Sequence, residues 1–162
     1  MGRKLEVAAN VAILIVAVLA GVLLVRNLMA PKKAAARSSV EIPAGTKLPL
    51  PFEGKTAVLA LSTNCHYCTE SAPFYRRLSG ELAKRGVHLT IVMPQPPEEG
   101  RGYVRGLGLD AADVRQVSLR ALNIRGTPTL LLVDKGSVVS EAWVGMLTPE
   151  REQDVVEAVR KF

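Results

Sequence analysis

Two cysteines, Cys65 and Cys68, are the only ones in this 162-residue chain, and two residues separate them. Just upstream lies an apolar, strand-like run, Thr56-Ala57-Val58-Leu59-Ala60-Leu61. Just downstream Tyr75, Leu78 and Leu82 recur three and four apart, the spacing of one helical stripe. The pair therefore falls where a strand hands over to a helix. Cys65 then sits at or near the helix N-terminus and Cys68 about one turn in, so the sulfurs share one face and can bond. Free backbone N–H groups and the positive end of the helix dipole stabilise a thiolate at Cys65. The thiolate is the form that attacks disulfides.

Other uses of such a pair stand beside this one. A structural zinc site needs four ligands, and the remaining softer donors are His66 and His88. His66 lies between the cysteines and His88 falls in a different strand, so no metal is expected. A purely structural disulfide closes a loop so short that it removes little unfolded-state entropy. Redox chemistry is the favoured reading, because the motif opens a helix after a strand. It needs no cofactor.

The net charge of +6 is unevenly distributed. Residues 1–37 hold six Lys/Arg against Glu6, a net of +5, and the remainder holds 15 Lys/Arg against 14 Asp/Glu, a net of +1. The basicity belongs to the N-terminal segment, where it suits lipid head groups. No basic patch with interleaved aromatics appears in the body, which argues against nucleic acid. Val11 to Val25 is an uninterrupted apolar run, and extended back to Val7 it reaches the length needed to span a bilayer. A cleaved signal peptide is the competing reading, with Ala34-Ala35-Ala36 as a small-residue site well beyond the apolar core. The expectation is an uncleaved single-pass transmembrane anchor over residues 1–29, a Pro/Ala/Lys/Ser linker over 30–47 and a globular domain over 48–162. Counting positive charges around the span puts that domain in the cytoplasm. A disulfide-active pair belongs on the oxidising side of the membrane, so an extracytoplasmic, periplasmic-side domain is the expectation.

Within the domain, Lys55–Thr63 reads as a buried strand. His66–Arg85 reads as a helix kinked at Pro73 and closed by Gly86. Val87–Met93 alternates as a second strand with His88 facing outward. A helix is expected over Glu98–Leu107, and Asp110–Val117 fits either a helix or a short extended piece. Ser118 is placed to cap a short helix ending at Leu122. Thr129–Val133 and Ser137–Val144 form a hairpin turned by Asp134-Lys135-Gly136. Thr148 caps a final helix that opens with Pro149, carries Glu150 and Glu152 in its first turn, and presents Val155, Val156 and Val159 as its apolar side.

The order strand, C-x-x-C, helix, strand, T-P dipeptide, hairpin, helix resembles the thioredoxin order. In detail it is similar to the membrane-anchored TlpA/ResA-like thiol–disulfide oxidoreductases. The matching residues are Cys65 and Cys68, Pro73, Gly126-Thr127-Pro128-Thr129 before a strand ending in Asp134, and Trp143-Val144-Gly145, over residues 48–162. The resemblance implies an α/β, thioredoxin-like three-layer fold with a central mixed β-sheet, preceded by one N-terminal transmembrane helix. It implies catalytic roles for Cys65 and Cys68, a cis Pro128 beside the disulfide, and a Thr127 backbone that meets the substrate chain. It also implies a reductive role outside the cytoplasm, as in cytochrome c maturation. The partners would be protein thiols and disulfides, a thiol-reducing membrane electron donor, and the lipid bilayer.

The chain departs from the family pattern at several places. Asn64 stands where a tryptophan is usual, and His66 and Tyr67 stand inside the motif where a proline is often found. These two are the candidates for tuning the Cys65 thiol. A charged His66 would lower the thiol pKa and make the disulfide more oxidising. Val58–Leu61 lacks the buried acid that many members carry, which leaves Glu70 as the nearest carboxylate. Two further classes stay open. A thiol peroxidase would want Pro and Thr where Val58 and Ser62 stand. A copper-binding chaperone would use both cysteines with a distant His88, though related copper proteins space their cysteines C-x-x-x-C.

Overall fold

The computed structural model describes residues 42–110 and 113–162. The anchor expected over residues 1–29 lies outside the described residues, as does the linker up to residue 41. Among the described residues no helix is long and apolar enough to cross a membrane.

β1 (Thr56–Ala60) is buried at every position and occupies the middle of a five-stranded sheet of order β3-β2-β1-β4-β5. β2 (His88–Met93) runs parallel to it on one side, and β4 (Thr129–Val133) runs antiparallel on the other. β3 (Asp113–Gln116) adds parallel to β2, and β5 (Val139–Val144) adds antiparallel to β4, so the sheet is mixed. Register lines up Val114, Ile91, Leu59, Leu130 and Trp143 across one face. Successive residues of a strand point to opposite faces, so Val58, Leu131 and Ala142 line the other. A strand buried on both faces reads as a continuous apolar run, which is what Thr56–Leu61 is.

The first face packs against four helices: α1 (His66–Glu70), α2 (Ala72–Ala83), α3 (Pro97–Gly106) and α4 (Pro149–Lys161). Cys68, Phe74, Leu78, Leu82, Val104, Val155 and Val159 interdigitate there with Leu59, Ile91 and Leu130. The second face carries a thinner cover. Ile42, Leu48 and Phe52 come from the N-terminal side, and Leu122 and Ile124 from a 3-10 turn over Leu119–Leu122 and the residues after it. This second cover explains one difference from the sequence reading of β2. Thr90, Ile91, Val92 and Met93 are all buried rather than alternating, and only the strand's start, with His88 exposed, behaves as half-covered.

Part of the linker assigned from sequence lies on the domain. Ile42 is buried, Gly45 N–H donates to Val139 O at 2.7 Å, and Lys47 bridges Val138. Alternating small polar and proline residues hide this docking, because Ile42 and Leu48 are too far apart to form a stripe.

The helix expected over 66–85 is two helices. The break falls at Ser71, whose N–H donates to Tyr67 O while its own carbonyl accepts from Phe74 and Tyr75. Pro73 thus stands in the first turn of α2, where a missing N–H costs nothing. Gly86, at φ +64, completes the reversal into β2. Its N–H reaches Ala83 O, and Val87 N–H reaches Leu82 O at 3.1 Å. The ambiguous stretch after Asp110 is extended where described. In β3, Asp113 Oδ2 accepts from Thr90 Oγ1 at 3.0 Å and from Arg115 Nε at 2.8 Å, and Arg115 reaches on to Pro51 O. Ser118 precedes the 3-10 turn but makes no side-chain cap. The hairpin turn is held by Asp134 Oδ1, which accepts from Gly136 N and Val138 N. Thr148 Oγ1 accepts from Arg151 N at the start of α4, as its position predicts.

Leu59 touches partners in both neighbouring strands and is 1% exposed. Leu59→Ala is expected to cost about 2–5 kcal/mol through lost burial and a residual cavity. A fragment spanning 38–162 is expected to unfold in one cooperative step in urea, with its midpoint lowered by that substitution. A non-cooperative transition in the fragment would refute its independence from the preceding residues.

Candidate active site

β1 ends at Ala60, and the chain turns through Ser62, Thr63 and Asn64 into Cys65. Cys65 N–H donates to Ser62 O at 3.1 Å, which closes that turn. Cys65 occupies the N-cap of α1 in extended conformation, and Cys68 lies one turn in, as the spacing predicts. The two are joined by a disulfide with their Cα atoms 5.2 Å apart. Their environments differ. Cys68 is wholly buried in the helix-face core, whereas Cys65 is half-buried at its margin.

The Cys68 backbone N–H points at Cys65 Sγ from 3.1 Å. When the bond is reduced, that donor favours the charged form of Cys65 over the neutral one. No comparable donor to Cys68 is found among the described residues, and burial in apolar surroundings raises a thiol pKa. The short α1 means that this local N–H, rather than a long helix dipole, carries the effect. Tyr75 shares the buried cluster with Cys68. Burial pushes its phenol far above the ordinary value, and the Glu152 charge adds to the shift, so it stays protonated and offers no base. Among the described residues no carboxylate is buried.

His66 and Tyr67 project outward between the cysteines. His66 Nε2 lies 3.1 Å from Glu70 Oε1, with the imidazole side chain 77% exposed. Glu70 is thus tied to the intervening histidine across one helical turn. Tyr67 is 55% exposed and lies beside His66 with the rings tilted by 54° and their centroids 5.8 Å apart.

Thr127–Pro128 is cis, as the resemblance implies. Thr129 pairs with Ala60, which brings this segment to the same end of β1 as the disulfide turn. Thr127 and Ser62 line a common groove, and Pro128 is buried. Pro128 O accepts from Gly145 N–H at 2.7 Å. Gly145 has φ +82, a conformation that side chains with a Cβ rarely adopt, which gives Trp143-Val144-Gly145 a local reason. Met146 follows, 52% exposed. Tyr67 and Met146 are the large hydrophobic side chains left exposed among the described residues, and both adjoin this end of the sheet.

Sequence reasoning missed the groups that pin the disulfide turn from the α3 side. Gln95 Nε2 donates to Ser62 Oγ, Thr63 Oγ1 donates to Glu99 Oε1, and Thr69 Oγ1 meets Tyr103 Oη at 3.3 Å. Polar residues flanking a reactive loop were the available signal, but their partners are about 30 or more residues away in sequence. His88 does not join the site. It pairs with Thr56 at the start of β1, whereas Cys65 follows its end, which lies about 13 Å further along the strand. The copper reading that drew on His88 with the two cysteines therefore lacks its third ligand. Among the described residues no group of three or more His, Cys, Asp or Glu converges on a metal position.

No protein-family model and no curated protein matches the sequence. Solved structures do match. A thiol:disulfide interchange protein from Bacteroides sp. superposes with a TM-score of 0.58 at 15% identity, over 75% of this chain and 90% of that one. A thioredoxin-family thiol:disulfide interchange protein from Chlorobium tepidum TLS gives 0.56 at 17%, over 74% and 97%. StoA from Bacillus subtilis gives 0.52 at 17%, over 66% and 84%. The fold is thioredoxin-like. A C-x-x-C disulfide stands just beyond the end of its central strand.

The unequal settings of the two sulfurs lead to a measurable difference. With single-cysteine variants at neutral pH, Cys65 in Cys68→Ser is expected to alkylate at least about tenfold faster than Cys68 in Cys65→Ser, the effect of one pKa unit on thiolate content before access is added. Faster labelling of Cys68 would reverse the assignment.

Proposed function

We propose that this protein is a membrane-tethered thiol–disulfide oxidoreductase that reduces disulfides of partner proteins outside the cytoplasm. The carrying observation is the bonded Cys65–Cys68 pair with one sulfur at the surface margin and the other wholly buried. In the reduced form the Cys65 thiolate attacks one sulfur of the substrate disulfide. A Cys65–substrate disulfide forms, and the departing substrate thiolate takes up a proton. The Cys68 thiol then gives up its proton and attacks Cys65 Sγ. The mixed bond breaks, the second substrate thiolate leaves and is protonated, and Cys65–Cys68 is left oxidised. Two electrons have passed to the substrate, and a thiol-reducing membrane donor returns them. With no buried carboxylate among the described residues, the Cys68 proton leaves through the mouth of the site rather than through an interior acid.

In this reading Thr127 supplies backbone groups to the substrate chain beside the disulfide, and Pro128 shapes that backbone. His66 and Tyr67 set the reactivity of Cys65 from the outside. The apolar run Val11–Val25 supports tethering, and the redox chemistry of the pair supports a domain on the oxidising side.

Cys68→Ser is expected to accumulate mixed disulfides with membrane-associated or secreted proteins, because the resolving thiol is gone. Cys65→Ser is expected to trap none and to lose turnover on a model disulfide by several orders of magnitude. Equal trapping by both variants would defeat the assigned roles. Protease added to intact spheroplasts is expected to digest residues 48–162, and full protection would put the domain in the cytoplasm.

A further inference from the structure

The turn that leads into Cys65 forms one wall of a groove of about 630 Å³. Ser62 and Pro94, beyond the ends of β1 and β2, line it on the sheet side. Arg120, Asn123, Arg125 and Thr127 line it on the other. Its shape has a local cause. The 3-10 turn ends at Asn123 in the left-handed conformation, φ +62, and Ile124 N–H returns to Leu119 O at 2.9 Å. Leu122 and Ile124 are buried on the second face of the sheet, so the residues beside them turn outward. Arg120 and Arg125 are both exposed, and neither guanidinium has a hydrogen-bond or ion-pair partner among the described residues. Among the described residues no carboxylate lines the groove.

We propose that this groove holds an acidic stretch of the polypeptide substrate next to its disulfide, with Arg120 and Arg125 as the residues that select it. The proposal rests on the oxidoreductase reading and names the substrate's chemistry. Continuity favours a polypeptide. Thr127 and Ser62 both line the groove, and the Ser62 carbonyl is bonded to the Cys65 N–H, so a chain lying in it passes beside the turn that carries the reactive sulfur. The volume is far larger than one carboxylate needs. Charge decides the rest: two guanidinium groups, unpaired among the described residues and each able to take a carboxylate through two parallel N–H donors, line a space to which no described residue brings a counter-charge. Tyr67 and Met146 offer apolar surface at the same end of the sheet, so charge selection and apolar contact come from different elements.

The test uses the full-length protein, reduced, in detergent. Three disulfide peptides of equal length carry Glu, Ser or Lys beside the cysteines. At low salt kcat/KM is expected to favour the Glu peptide over the Lys peptide by about fivefold or more, the scale of exposed charge pairs. The ratio is expected to fall toward one at high salt. Arg120→Gln with Arg125→Gln is expected to bring the Glu:Lys ratio to about one, and Arg→Lys at both sites to restore part of it. A purely structural role for the arginines would lower all three peptides alike and leave the ratio standing, which would overturn the proposal, as would a ratio of one in the unaltered protein. A Glu peptide with Ser in place of both cysteines separates this from the oxidoreductase reading. If no peptide is reduced, that reading falls. Salt-sensitive anisotropy binding of the inert peptide, lost in the double variant, would then still support the groove, and no binding would overturn it.

Discussion

Burial of β1 on both faces is the constraint on which the rest of the structure depends. Its five residues sit between a parallel neighbour and an antiparallel one, so a single strand joins the two halves of the sheet. Leu59 carries the helix-side core, while Val58 and Ala60 carry the opposite one. The end of this strand is accordingly a well-fixed point in the molecule, and the disulfide turn starts there. A reactive pair on a rigid strand end keeps its geometry when a substrate pulls on it. The surrounding polar links, from Gln95 to Ser62 and from Glu99 to Thr63, hold the turn itself.

Periodicity made most of the fold legible. The runs at β1, β4 and β5, the helical stripe of Tyr75, Leu78 and Leu82, and the Thr148-Pro149 start of α4 are local signals, and each matches its element. What escaped depends on hydrogen-bond partners that an apolar pattern does not record, local in one case and distant in sequence in the others. Ser71 divides a helix that the apolar stripe alone runs through, because the stripe does not register a change of hydrogen-bond partners. β3 is extended because β2 offers it an open parallel edge, and no window of Asp113–Gln116 contains that fact. Ile42 looked like linker because its burial comes from the β4–β5 end of the sheet.

The site divides in the same way. The Cys65–Cys68 bond and the cis Pro128 were readable because cysteine and proline have restricted chemical and conformational uses. His66 was readable as a neighbour of the sulfur, but its pairing with Glu70 came from the helix that both share. Arg120 and Arg125 gave no signal, since two arginines five apart beside the apolar Leu122 and Ile124 look like the ordinary solvated side of a short turn. Their meaning comes from the left-handed turn at Asn123, which curves the chain around the end of the sheet.

The outer strands have a different consequence. An open sheet edge can pair with the edge of a second copy of the same chain. β3 is four residues long and carries Asp113, Arg115 and Gln116, with Arg115 tied back to Pro51. β5 joins β4 with a register irregularity at Leu132/Val133 and carries an exposed Glu141. Short, charged or irregular edges are poor templates for strand addition. Self-association through the sheet is thereby discouraged on both sides, which leaves the end of β1 that carries the disulfide clear of sheet-to-sheet contacts.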